Sequence, residues 1–335
     1  MTTQYSTPPE YNSRCFTSFI QAAQIVERFE SDLDSLGISI ATGSDLELIC
    51  LNIMDLESKR QGQSHVNLRD DCRPIWRRTV GLVDLLRLLS HARELGKLSL
   101  FEPHLRLLNQ GLAPQNIRVL SDDACNKVFE MLVGLFCLPL AQDIELDNPH
   151  QSQGNNPDVL ATIDGTIWGF SCKTPNGTSA KTMFERMKEG VEQIETSSAE
   201  KGAVYFNFRN VIDHDRTWPA ISHGPSPTQP ERFTFRIWPD SQPIEAYLRN
   251  LVDEKNGEML KEIGPRNVQN LFVGKKSIPG AMVFLETATA VQSVDGPFVT
   301  TAGIPALMEF GDIALHDRQI LQRIQYARRD SYGWR

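Results

Sequence analysis

The sequence predicts an α/β protein, a mixed sheet covered by helices, behind an all-helical N-terminal region. Three observations carry this. Apolar residues recur at helical spacing through residues 1–115, with no strand-like run. The stretch "NNPDVLATIDGTIWGFSCKTPNG", Asn155 to Gly177, reads as two short strands around the pair Asp164-Gly165, the strongest short-range hairpin signal because a type I′ turn needs positive φ at both central residues. From residue 116 the order is helix, strand, hairpin, helix, strand, which is the order of a sheet with crossover helices.

Residues 1–13 read as a loose arm, and Arg14–Leu36 as a helix whose apolar face includes Phe19, Ala23, Val26 and Phe29. Ser44 with Glu47 three residues on is a capping-box pattern opening a second helix. Gly62–Cys72 is polar and expected to be a loop. Pro74 opens a third helix carrying Ile75, Val80, Val83, Leu86, Leu89 and Leu95 up to Gly96, and a short helix follows near His104–Leu108. Ser121, Asp122 and Asp123 cap a helix running to about Leu138, with acidic residues at its positive end. Asp143–Leu146 can form a strand. After the hairpin, Ser179 caps a helix with the stripe Phe184, Met187, Val191, Ile194, ended by Gly202, and "AVYFNFRNVID" is a buried strand. Thr217–Glu231 is a Pro/Ser-rich loop. Beyond it come a strand "FTFRIW", a helix from about Pro243 to Ile263, a strand "GAMVFLETATAV" and a basic C-terminal helix. This divides the chain into a helical region, 1–115, and an α/β domain with a C-terminal extension, 116–335.

Bulk properties narrow the class. The chain has 335 residues, 40% hydrophobic and 23% charged, ordinary for a globular protein. No apolar run approaches the roughly 20 residues that span a bilayer, and the N-terminus lacks a signal-peptide layout. Six scattered cysteines without a CxxC pair exclude a disulfide scaffold and a zinc site. The expectation is a cytoplasmic protein with reduced thiols and no membrane contact. A net charge of −8 argues against general nucleic-acid stickiness, though not against a local groove. No Gly-rich phosphate loop is present, which leaves ATP hydrolysis unsupported.

The chemistry gathers at the hairpin. With Asp164-Gly165 as the loop, Ile163 pairs with Thr166, and counting back sets Asp158 opposite Ser171. Alternation then puts Asp158, Ser171 and Lys173 on one face and Val159, Ala161, Ile163, Trp168, Phe170 and Cys172 on the other. A polar trio on the reverse of a core face is more often a solvated edge, so its weight comes from the elements around it. The apolar setting of Cys172 removes it as a nucleophile. Asp213-His214-Asp215 reads as a turn rather than a metal cluster, and His91 and His104, which lack partners at ligand spacing, read as packing or surface residues.

A helix carrying "NKVFE", then "NPD", a hairpin ending in "SCK", a helix and an apolar strand resembles the PD-(D/E)XK nuclease superfamily, over about Ser121 to Asp213. The resemblance implies a restriction-endonuclease-like fold, a mixed central sheet flanked by helices, with a divalent metal at the open end of the hairpin. It makes Pro157-Asp158 the PD and Ser171-Cys172-Lys173 the third motif. Asp158 becomes the main metal ligand and the Cys172 backbone carbonyl a second. Lys173 positions or deprotonates the attacking water, and Glu130 and Gln193 fall where members carry an extra acid and a glutamine near the site. Mg²⁺ or Mn²⁺ suits such a donor set, since Mg²⁺ takes one or two carboxylates plus water and substrate phosphate.

Ser171 departs from the motif, which usually opens with Asp or Glu. Another carboxylate must supply that charge. Glu130 is preferred, on a helix apolar nearly all round, where a buried carboxylate needs a partner. Glu185 is the alternative, about 150° from the apolar stripe of its helix. The implied function is a Mg²⁺-dependent endonuclease of restriction or phage-defence type, on DNA in preference to RNA. Its partners are expected to be nucleic acid, a second copy of the chain and a regulatory protein. The alternative is a catalytically inactive nuclease-like fold serving as a nucleic-acid-binding or scaffold subunit.

Overall fold

The computed structural model describes residues 19–61, 71, 73–109, 123–149, 156–175, 179–222, 233–293 and 296–330. The arm at 1–13, the polar stretch at 62–70, the cap residues Ser121 and Asp122, and most of the Pro/Ser-rich loop lie outside the described residues.

The N-terminal region is helical. Helix α1 spans Phe19–Ser35 and buries Ala22, Val26, Phe29 and Leu33. Helix α2, Asp45–Gln61, opens with Ser44 as its cap, Oγ accepting from the Glu47 amide at 3.1 Å, while Glu47 Oε2 reaches past the cap residue to accept from the Gly43 amide at 2.5 Å, a variant of the expected capping box. Helix α3, Arg73–Glu94, is buried almost all round from Gly81 to Leu89. It has to be, since α1, α2 and a further helix cover one side and the end of the sheet covers the other. Ile75 and Leu95, expected on its apolar face, are exposed at the helix ends instead. A 3-10 turn at Leu98–Phe101, helix α4 at Glu102–Leu105 and a second 3-10 turn at Arg106–Asn109 follow. Helix α5, Asp123–Cys137, is buried throughout from Val128 onward.

The sheet begins with β1, Asp143–Leu146, and the hairpin β2, Val159–Ile163, and β3, Thr166–Lys173. Asp164 and Gly165 take φ of 50° and 78°, and Ile163 pairs with Thr166, the register the turn chemistry predicts. Helix α6, Ala180–Thr196, starts at Ser179, whose hydroxyl accepts from the Thr182 amide, and crosses to β4, Lys201–Asn207, parallel to β3. Gly202, read as the end of α6, lies inside β4. The helix stops at Thr196, and a Cβ on Gly202 would sit 2.5 Å from the Gly169 carbonyl.

After β4 the chain makes an excursion. It comprises helix α7, His214–Thr217, and strands β5, Ala220–Ser222, and β6, Phe233–Phe235, which pair as a small separate sheet. Helices α8, Gln242–Ile263, and α9, Pro265–Asn270, lead to β7, Ser277–Ser293, β8, Gly296–Glu309, and α10, Leu315–Asp330. The main sheet has the order β1-β2-β3-β4-β7-β8, with β3, β4 and β7 parallel and the remaining pairs antiparallel. The protein is therefore α/β, with a six-stranded mixed sheet flanked by helices.

Side-chain alternation sorts the two faces. Val159, Ala161, Ile163, Trp168, Phe170 and Tyr205 join one core with α1, α2, α3, α5 and α10. Val204, Phe206, Val283 and Leu285 join the other with α6, α8 and α9. Trp168 and Phe170 are fully buried, each contributing about 2–3 kcal/mol of apolar transfer. The helical region thus shares its core with the hairpin. No helix among the described residues is long and apolar enough to cross a membrane.

Candidate active site

The site forms where β2 begins and β3 ends. Asp158 lies one residue ahead of β2, where strict alternation no longer directs the side chain. Its carboxylate does not stand beside Ser171, as the shared-face expectation had it. Instead Oδ2 accepts from the Cys172 amide at 2.6 Å, and the carboxyl hydrogen-bonds Glu130 on α5. Glu130 is 4% exposed. Its Oε2 is 2.8 Å from Lys127 Nζ, one turn back on the same helix, and 3.9 Å from His104 Nε2 on α4. Glu185 is exposed on α6.

On the other side of the strand, Gln193 on α6 gathers the rest. Its Oε1 accepts from Lys173 Nζ at 2.7 Å and from the Ser171 hydroxyl. Ser171 is fully buried because α6 passes closest to β3 there. A Cβ on Gly190 would meet Ser171 Oγ at 3.2 Å and Val204 at 2.8 Å. The position where the resemblance leads one to expect an acid is therefore roofed by α6 at Gly190. Cys172 points into the apolar core, and burial first, then Asp158 and Glu130, hold its thiol well above the usual range.

Electrostatics reflect two carboxyl groups sharing a nearly dry space. Burial pushes Asp158 up to about 7, the Glu130 carboxylate adds to this, and Lys173, the Cys172 amide and Lys127 oppose it. Burial also raises Glu130, against the pull of Lys127. Burial alone lowers the Lys127 ammonium, but Glu130, Asp158 and Asp147 hold it above its ordinary value. Two hydrogen-bonded carboxyls that cannot comfortably both ionise suit a hard divalent cation, whose charge would relieve the repulsion. Among the described residues, no group of three or more His, Cys, Asp or Glu side chains is placed to hold a metal. The side-chain donors within reach of one another are the pair Asp158 and Glu130, so a cation there would draw its further ligands from backbone carbonyl, water or phosphate.

Three neighbours escaped the sequence reading. Lys127 had a signal, since a lysine three residues before Glu130 shares its helix face. Asp147 approaches because β1 pairs with β2 and its amide donates to the Asp158 carbonyl at 3.0 Å. The sequence leaves His104 as a packing or a surface residue. It is buried, and tertiary folding alone brings it to Glu130. His91 sits 3.9 Å from Glu94 on α3. In the Asp213-His214-Asp215 run, Asp213 caps α7, His214 is buried on Thr287 and the Arg209 carbonyl, and Asp215 pairs with Arg73 and Arg77. No family model, curated protein or solved structure matches this chain.

Proposed function

We propose that the chain is a Mg²⁺-dependent endonuclease with a restriction-endonuclease-like core, hydrolysing phosphodiester bonds, in DNA before RNA, in a restriction or phage-defence setting. The observation that supports it best is the meeting of two pairs at the open end of one hairpin: Asp158 hydrogen-bonds Glu130 of α5, Lys173 hydrogen-bonds Gln193 of α6, and the Lys173 charge acts on Asp158. The order α5, β1, β2, β3, α6, β4 is the one the resemblance describes.

Asp158 and Glu130 would hold the cation, and the Cys172 amide keeps the Asp158 carboxylate in place. When bound, the cation supplies Lewis-acid polarisation of the phosphate and of a water. Gln193 fixes the Lys173 ammonium so that it faces the phosphate rather than swinging into solvent. The ammonium orients the attacking water and counters the negative charge that grows on the phosphate oxygens. The water oxygen bonds to phosphorus and gives its proton to bulk solvent, the ester P–O bond on the far side breaks, and the leaving oxygen takes a proton from solvent. Hydroxyl and carboxylate groups at the site do not read the sugar, so the preference for DNA follows the resemblance alone.

One observation favours the scaffold reading. The Lys127 ammonium already lies 2.8 Å from Glu130 and supplies some of the positive charge a cation would bring. The two readings separate in one assay of the purified chain on plasmid DNA and on RNA with Mg²⁺ or Mn²⁺. The nuclease reading expects EDTA-sensitive cleavage that Asp158→Ala and Lys173→Ala abolish, each losing on the order of 3 kcal/mol of barrier stabilisation or more. Undiminished cleavage by Asp158→Ala would sink the assignment, and absence of both cleavage and Mn²⁺ binding would establish the scaffold.

A further inference from the structure

The excursion between β4 and α8 carries two arginines whose guanidinium groups lie over aromatic rings. The Arg216 guanidinium is 4.6 Å from the Tyr247 ring centroid, and the Arg236 guanidinium is 4.0 Å from that of Trp238. Both arginines are exposed. The two pairs flank one turn, because Trp238 Nε1 donates to the Thr217 carbonyl at 3.0 Å and the Arg236 amide to that of Pro219 at 2.9 Å.

The described part of this flap is tied to α3 and β7. Arg77 Nη2 and Arg73 Nη1, both on α3, donate to the His214 and Trp218 carbonyls. Thr289 Oγ1 donates to the Thr217 carbonyl, and Trp218 is fully buried against Phe235. The side chains of Arg73 and Arg77 are committed to Asp71 and Asp215, so among the described residues the exposed arginines of the flap are Arg216 and Arg236.

The flap also stands in line with the candidate site. Asn207, the last residue of β4, donates from Nδ2 to Thr174 Oγ1, next to Lys173, and is paired with Phe284 of β7. Trp238 bridges Val291, farther along the same strand. Seven residues of strand at ~3.3 Å each place it about 23 Å beyond the Asn207 level, or about seven nucleotides of a stacked strand at ~3.4 Å each. A guanidinium with one face on a ring offers its other face to a nucleobase and its N–H edge to a phosphate.

We infer that Arg216–Tyr247 and Arg236–Trp238 form a track for an unpaired nucleic-acid strand running from the cleavage site along β7. The inference rests on the nuclease reading and names the form of substrate it would grip.

Fluorescence anisotropy of a labelled single strand of about 30 nucleotides, with the full chain in EDTA and across a salt series, tests it. Arg216→Ala with Arg236→Ala should weaken binding tenfold or more and flatten the log-affinity against log-salt slope by about 1.4, two contacts at ~0.7 each. Arg216→Lys with Arg236→Lys should keep the slope, since the charges remain, yet lose several-fold in affinity with the guanidinium groups. Wild-type affinity and slope in the alanine variant, or a loss confined to duplex DNA, overturns the track. Hydrolysis of bis(4-nitrophenyl) phosphate, too small to reach the flap, keeps the two readings apart. If the wild-type chain with Mn²⁺ cleaves it, a failed binding test condemns the track alone. If it cleaves neither this diester nor DNA, the nuclease reading fails and the track as a route from a cleavage site fails with it.

Discussion

The Cys172 amide donates to Asp158 Oδ2 at 2.6 Å, so the strand that carries Lys173 also fixes the carboxylate on the strand before it. One backbone bond thereby couples the proposed metal ligand to the proposed water-positioning amine. It holds only in the hairpin register set by Asp164-Gly165, because a slip of one residue would bring a different amide to Asp158.

A pH dependence follows from Asp158. Its folded value of about 7 lies above its ordinary 3.8, so the folded chain binds the extra proton in that window. Without metal, this raised value favours folding at low pH, and that contribution is lost as pH rises through 7. A cation competes with the same proton. Mn²⁺ affinity should therefore rise with pH up to about 7, by close to tenfold per unit, and then level. Calorimetric titration at several pH values checks this, and a flat profile would remove Asp158 from the ligand set.

Glu130→Gln and Glu185→Gln should behave differently. The first leaves Lys127 facing an amide instead of a carboxylate in a mostly buried setting. It should cost on the order of 2 kcal/mol of stability and weaken Mn²⁺ binding at least tenfold. Glu185 is exposed, and its amide variant should match the wild type in melting temperature and in metal titration. The reverse ranking would move the missing charge to α6.

Ser171→Glu should not be tolerated as a carboxylate at this position. A carboxylate there has to displace α6 at Gly190 and break the contacts of Gln193 with both Ser171 and Lys173. Overpacking plus a buried charge predicts a loss of about 3 kcal/mol or more. Ser171→Ala, which keeps the shape, should lose only about 1 kcal/mol. Urea denaturation of the two variants distinguishes this from a tolerated carboxylate.

His214 should make the fold acid-sensitive. Burial pulls it from 6.5 down to about 4, and Thr287 and the Arg209 carbonyl hold it in place. Its folded value lies below the unfolded one, so between those limits the unfolded chain binds more protons and stability falls as pH drops from 6.5 towards 4. The shift is worth about 3 kcal/mol in all. Denaturant midpoints across that range should show the slope, and His214→Gln should flatten it.

Much of this architecture was legible because it depends on local chemistry. The Asp-Gly turn fixed the hairpin register, Ser44 with Glu47 and Ser179 marked two helix starts, and the apolar run before Leu138 announced a helix covered on every side. Strand β8 was missed. Pro297, Gly303 and Pro305 interrupt its apolar pattern, and among the described strands it pairs with β7 alone, at the end of the strand order, where proline is tolerated best. At the site, the hairpin residues could be placed by counting. The turn of Asp158 toward α5 and the roofing of Ser171 by Gly190 could not, since both depend on how helices α5 and α6 press on the sheet.

Helix α3 is made early in synthesis, yet it packs on β7 and β8 and grips the flap through Arg73 and Arg77. On the ribosome it must wait, partly uncovered, until the C-terminal third of the chain emerges. Because β7 also flanks β4, a half-made chain lacks the neighbour that supports the strand beside Lys173. If the proposed nuclease reading holds, order of manufacture acts as a safety catch, keeping a chain without β7 from attacking nucleic acid. Chains truncated ahead of Ser277 should bind a hydrophobic dye and show no cleavage, and an active truncation would remove the catch.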